Sequence, residues 1–194
     1  MRLGPSVDSS SPPASIAAVR VLVLLIVLAT VPFAAPHPGL ASARGIAIIV
    51  ALAVATASWL VWLRPDNSHA AMVAALAVMA VAGGTLAGLS PFSTAIAVGC
   101  VVTSSAGVRL SSEASLAITA ETVAAFLIAG LAVGAPAGTL AGFPAAFLGL
   151  WAFGVTRRAY VLRAQEAEAA LEQARRAHAA ENQAAALEIG RAHV

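Results

Sequence analysis

Six apolar stretches fill most of the first 155 residues of this chain, and their lengths limit what it can fold into. A helix that crosses a lipid bilayer needs about 20 apolar residues, with a range of about 17–25. The fourth and sixth stretches are marginal by this measure. The sequence therefore predicts an all-α membrane protein with about six transmembrane helices. The stretches cover residues 14–35, 45–63, 70–89, 91–108, 116–133 and 139–155.

The composition supports this interpretation and excludes several other classes of protein. Hydrophobic residues make up 60% of the chain and charged residues only 10%, whereas a soluble domain is about 25% charged. The chain has one cysteine, Cys100, and no cluster of side chains at ligand spacing, so no disulfide, metal, cofactor or catalytic site is predicted. The arginines do not form one exposed basic domain, so direct nucleic-acid binding is not expected.

The arginines also predict the orientation of the chain in the membrane. With six spans and a cytoplasmic N-terminus, the outer loops contain only Arg44. This asymmetry is the one that the positive-inside rule describes. We therefore expect a multi-pass protein of the plasma membrane with both termini in the cytoplasm. The arginines expected on the cytoplasmic side are Arg2, Arg20, Arg64, Arg109, Arg157, Arg158 and Arg163.

The first apolar stretch has an alternative interpretation as a cleaved signal peptide. Arg2 and Arg20 precede its apolar centre, and the small residues at 41–43 resemble a cleavage site. Pro36 and Pro38 interrupt the long segment before that site, which argues against cleavage. The C-terminus is cytoplasmic under either interpretation.

Glu121 is a candidate intramembrane sensor charge. Placing a carboxylate within a membrane span costs free energy, so such a residue usually indicates a function. Its alternative is a place at the level of the lipid headgroups, since it lies six residues into the fifth stretch. Arg109 and Glu113, just before it, are interpreted as loop charges. The sequence GTLAG occurs at 84–88 and at 138–142, and this GxxxG spacing favours close helix packing within the bundle.

The chain changes character after the sixth stretch. Half of its charged residues lie between 157 and 188, without Gly or Pro, and the residues there are strong helix formers. This pattern predicts a long cytoplasmic helix over 156–188. Its alanine-rich heptad seam would pair only weakly as a coiled-coil-like homodimer, which favours a switchable linker over a passive stalk. The seam consists of Tyr160, Ala164, Ala167, Leu171 and Ala174.

The chain resembles the membrane sensor region and linker of bacterial two-component sensor histidine kinases. The resemblance lies in several spans with short loops, the last of which runs through LGLWAFG into RRAYVLRAQEAEAALEQARRAHAAENQAAALE. The resemblance implies a response regulator as partner, and ATP as the ligand of a catalytic domain outside these residues. In that family a motif similar to R-I-A-R-E-[LI]-H-D carries the phosphorylated histidine. His178 lies in RRAHAAEN and is not followed by Asp, so no phosphoacceptor role is assigned to it.

The expected organisation is therefore a disordered cytoplasmic tail over 1–13, a six-span sensor bundle over 14–155, and a signalling helix over 156–188. The alternative function is a complete small membrane protein whose helix recruits a partner as a scaffold. A transporter component is disfavoured because the spans contain no pair of facing charges.

The last seven residues, EIGRAHV, depart from the helical pattern. One DNA string that encodes them, GAG-ATC-GGA-AGA-GCA-CAC-GTC, matches from its second base the start of a widely used sequencing adapter. We therefore expect residues 189–194 to be a non-native tail, with a slightly unusual natural C-terminus as the alternative.

Overall fold

The computed structural model describes residues 14–33, 39, 41–64 and 66–192, and this part of the chain is helical without strands. The predicted tail over 1–13 lies outside the described residues. The helices are α1 (Ala14–Thr30), which a 3-10 turn (Val31–Phe33) follows, then α2 (Ala43–Leu63), α3 (His69–Leu89), α4 (Ile96–Arg109), α5 (Ser112–Ala132) and α6 (Ala137–Ala192).

Among the residues that the structure describes, four helices are long and apolar enough to cross a membrane: α2, α3, α5 and the portion Ala137–Ala179 of α6. The all-α prediction is confirmed, and these lengths support a membrane protein. The apolar helices α1 and α4 are shorter, with 17 and 14 residues, so the count of six spans stays a prediction, as does the orientation of the termini.

Two helix starts differ from the predicted stretches by four residues or more. The fourth stretch was placed from residue 91, but α4 begins at Ile96 because the preceding residues form turns, with Ser93 N donating to Ser90 O at 3.1 Å. The fifth was placed from residue 116, but α5 begins at Ser112. Its start is set by Ser111, whose hydroxyl accepts a hydrogen bond from Ala114 N at 3.4 Å; serine at this position satisfies a free N–H of the first turn.

α3 lies at the centre of the bundle and packs against α2, α4 and α5. Its closest neighbour is α5, because glycine lets the two backbones approach. A Cβ on Gly84 would lie 2.4 Å from Thr122 O, and one on Gly88 would lie 2.5 Å from Phe126 O. The first GTLAG therefore packs α3 on α5, whereas Gly138 and Gly142 of the second have open space around them.

The outer surface of the bundle is apolar. In water, a contiguous apolar surface of this kind would cause aggregation, whereas in a bilayer it contacts lipid tails. Large exposed side chains on this surface include Val19, Leu22, Leu25, Ile26, Ile46, Ile49, Val50, Val54, Leu60, Val78, Val81, Ile128, Leu131 and Leu148.

The chain divides into two compact units between Val155 and Thr156. The first contains the bundle, and the second is the charged part of α6. This helix extends to Ala192, so the prediction that the helical pattern ends at Glu188 is wrong: the residues after Glu188 are compatible with a helix, although they lack the charge pattern that precedes them.

Candidate functional site

The predicted seam lies on the second unit, where its side chains are exposed. Tyr160 is 65% and Leu171 59% exposed, and the three alanines between and after them are exposed as well. These side chains are therefore exposed within the described chain. Whether a second copy occupies the seam stays a prediction.

One ion pair supports the helix beside this seam. Arg176 donates to Glu172 Oε1 one turn earlier, in the order that favours a helix. Because both side chains are exposed, the pair contributes only about 0.3–0.5 kcal/mol. It stabilises the helix without occupying the seam positions.

The first unit holds the apolar part of α6 through close contacts with α4. A Cβ on Gly107 would lie 2.7 Å from Trp151 O, and one on Gly154 would lie 2.7 Å from Ser104 O. The two backbones therefore touch at the last turn of the bundle before the charged segment. About two turns deeper, the ring of Phe147 fills the space beside Gly99, since a Cβ there would lie 2.6 Å from its Cε1.

A hydrogen bond fastens the same part of α6 to α5. Trp151 Nε1 donates to Ser115 Oγ at 3.0 Å, and that hydroxyl donates to Ser112 O at 3.0 Å. Ser115 is fully buried. A tryptophan N–H that finds an acceptor fixes the rotation of its helix as well as its distance.

The sequence did not single out these junction residues. It drew attention to the GxxxG repeats, whereas the closest approach of α6 involves the isolated Gly107 and Gly154. The available signal was the position of Gly154 directly before the charge run, but a single glycine has no spacing that would identify its partner.

Glu121 is exposed on α5, next to the buried Thr122. It is the tenth of the 21 residues of the helix, and not six residues from its start, because the first turn of α5 precedes the apolar stretch. Its role as a sensor charge stays a prediction.

Arg109 is not the loop charge that the sequence suggested. It is the last residue of α4 and is partly buried, with its Cζ 5.5 Å from the centroid of the Trp62 ring. Arg20 of α1 lies on the same ring at 4.2 Å. The opposite end of the bundle carries Arg44, whose Nε donates to Leu89 O at 3.0 Å at the end of α3.

Among the residues that the structure describes, no three His, Cys, Asp or Glu side chains come together as metal ligands. The chain matches no protein-family profile, no curated protein and no solved structure. A functional assignment therefore depends on the geometry and on the sequence pattern.

Proposed function

We propose that this chain is the membrane-sensing and linker part of a bacterial sensor histidine kinase. The observation that supports the proposal most directly is that α6 is one helix from Ala137 to Ala192. It begins in the apolar bundle and ends in the charged segment. A change in bundle packing at one end can thus reach the residues at the other end without crossing a loop.

The junction of α4 and α6 supports the same proposal. Gly107 and Gly154 bring the two backbones into contact directly before the charged segment, and packed helix crossings have discrete arrangements rather than a continuous range. A membrane stimulus that changes how α4 packs would alter the base of α6. The proposed output is a shift of the exposed seam within a homodimer, which passes to a phosphoacceptor and ATP-binding region and then to a response regulator.

A chimaera tests whether the linker relays a signal. Residues 1–188 are fused in frame to the phosphoacceptor and catalytic region of a characterised sensor histidine kinase, and autophosphorylation is measured in nanodiscs of two lipid thicknesses. We expect the rate to depend on thickness, and Ala170→Pro to abolish that dependence because proline breaks a helix interior. Ala170→Leu, which preserves the helix, is the matched control and should retain the dependence.

An equal response of all three chimaeras would favour a passive stalk. That outcome supports the second class, in which the exposed helix recruits a partner as a scaffold. A sequencing read across the genomic locus, from the codons for Arg157 onward, separates the two classes independently. An in-frame segment that contains His-Asp after a Glu-Arg-rich stretch supports the kinase, and a native stop codon after Val194 contradicts it.

A further inference from the structure

Two arginines from different helices meet on one tryptophan at an end of the bundle. Arg20 Cζ lies 4.2 Å and Arg109 Cζ lies 5.5 Å from the centroid of the Trp62 ring. Both guanidinium groups therefore lie close to the same ring. Trp62 is only 3% exposed, and both arginines are partly buried, so the bundle fixes the positions of the two like charges.

This cluster offers hydrogen-bond donors and hardly any acceptor. Among the described residues, no carboxylate forms an ion pair with Arg20 or Arg109. Arg109 Nη1 has only the Sδ of Met72, at 3.7 Å, and a thioether is a weak acceptor. Trp62 Nε1 is buried without an acceptor in the described chain.

Such an excess of donors calls for an acceptor-rich anion. Partly buried charges are costly unless a counter-charge accompanies them, and two cations on one ring also repel each other. A phosphate group supplies negative charge and several acceptor oxygens, and guanidinium groups bind it through paired N–H donors.

The position of the cluster indicates where that phosphate comes from. Trp62 is the twentieth of the 21 residues of α2, and Arg109 is the last residue of α4. A helix of 21 residues is about 31 Å long, which matches a hydrocarbon core of about 30 Å. A membrane-spanning α2 would place Trp62 at the phosphates of one leaflet, the level at which tryptophan is enriched. Arg109 would lie at the same level, because its Cζ is 5.5 Å from the centroid of the Trp62 ring.

We propose that Arg20, Arg109 and Trp62 form a binding site for the phosphate of an anionic phospholipid. The two guanidinium groups bind the phosphate oxygens, and the site joins α1, α2 and α4 through the bound headgroup. The lipid is thereby a structural ligand of the bundle and reports the composition of that leaflet to α4. This inference does not depend on the proposed kinase function.

The test is a titration of the protein of residues 1–194 with phosphatidylglycerol in a neutral detergent, with binding measured by native mass spectrometry. We expect Arg20→Gln and Arg109→Gln each to weaken the tightest binding by about tenfold, because each removes a charge-assisted hydrogen bond. Arg64→Gln is the matched control. It removes an exposed arginine two residues from Trp62 and should leave that affinity unchanged.

Two arms decide the source of the phosphate. Phosphatidylcholine tests whether the net negative charge of the lipid is needed, and soluble glycerol phosphate tests whether the lipid tails are needed. Displacement of phosphatidylglycerol by an equal concentration of glycerol phosphate would overturn the lipid assignment in favour of a soluble phosphate ester. Equal binding of phosphatidylcholine and phosphatidylglycerol would show that the arginines do not select an anionic lipid, and would overturn it too.

A packing role of the arginines is separated from binding by the same series. Equal phosphatidylglycerol affinity in the wild type and both Arg→Gln variants would reduce the cluster to helix packing and overturn the proposal. If a variant does not fold, a photoreactive phosphatidylglycerol analogue is used on the wild-type protein. Labelling of the peptides that contain Arg20 and Arg109 supports the site, and labelling confined to other peptides contradicts it.

Discussion

Gly107 of α4 and Gly154 of α6 are in direct backbone contact: a Cβ on Gly154 would lie 3.2 Å from Gly107 Cα. Without a side chain on either residue, the helix axes can approach more closely than larger residues allow. This contact holds α6 on α4 at the last turn of the bundle, two residues before the second unit begins at Thr156. The crossing lies within the first unit, next to its end at Val155.

The first prediction concerns this crossing. Gly154→Ala is expected to destabilise the bundle by about 1–3 kcal/mol, as overpacking does, because the new Cβ would lie 2.7 Å from the backbone oxygen of Ser104. Backbone atoms cannot move aside as a flexible side chain can. Thermal unfolding in a single detergent measures the effect.

Gly149→Ala on the same helix is the matched control, since nothing lies within 4 Å of a Cβ there. It should leave the unfolding midpoint unchanged or higher, because alanine is the better helix former. Equal midpoints for the two variants would mean that α4 and α6 do not touch at Gly154.

The second prediction concerns Gly99 and Phe147, which form a small-to-large pair between α4 and α6. A Cβ on Gly99 would lie 2.6 Å from Phe147 Cε1. Gly99→Ala is expected to cost about 1–3 kcal/mol by overpacking, and Phe147→Leu to cost a similar amount through lost burial. In the double variant, leucine makes room for the new methyl group.

We therefore expect a coupling energy of about 0.5–3 kcal/mol between the two substitutions, so that the double variant is more stable than the sum of the single effects predicts. Chemical denaturation of the four proteins in mixed micelles measures it. Additive losses would show that the ring of Phe147 does not occupy the space beside Gly99.

Much of the fold was predictable, because its dominant physical term is visible in the sequence. Apolar runs of 17–25 residues become helices in lipid, where every backbone polar group must be satisfied within its own segment, and α2 and α3 match their predicted stretches to within two residues. The predicted starts of α4 and α5 were wrong because a helix cap or a turn, and not the hydropathy of the residues, determines where these helices begin. Ser111 caps α5, and turns precede Ile96 of α4.

The candidate sites were harder to predict, since they depend on which helices are neighbours. From the sequence, Arg109 was interpreted as a loop charge, whereas in the structure it lies beside the Trp62 ring of α2. No local sequence pattern links two residues that are so far apart along the chain. Gly107 and Gly154 are equally unconnected in the sequence. The seam, by contrast, is a local pattern of one helix, and its pairing with a second copy stays a prediction.

The third prediction concerns the exposed carboxylate of Glu121 in the middle of α5. Glu121→Leu is expected to raise the fraction of α5 that inserts into the membrane, because a charge far from the helix ends opposes insertion. Glycosylation-site mapping of α5 in microsomes measures that fraction.

Glu113→Leu is the matched control, since Glu113 lies in the first turn of α5, where an acidic residue is favourable. This substitution should not raise the inserted fraction. An identical insertion of the wild type and Glu121→Leu would place Glu121 at the headgroup level.

The fourth prediction concerns the seam of the charged helix. If two copies pair through it, Ala167→Cys should form an intermolecular disulfide in a Cys100→Ala background, which removes the single native cysteine. Leu171→Glu should reduce crosslinking severalfold, because like charges would face each other across an alanine-rich interface that contributes little binding energy. The measurement is the dimer fraction on non-reducing gels after mild oxidation in membranes.

Leu162→Glu makes the same chemical change nine residues earlier, off the seam, and should leave the crosslink intact. Loss of the crosslink in both variants would indicate a general effect of added charge, and its retention in both would show that this helix does not dimerise through Leu171.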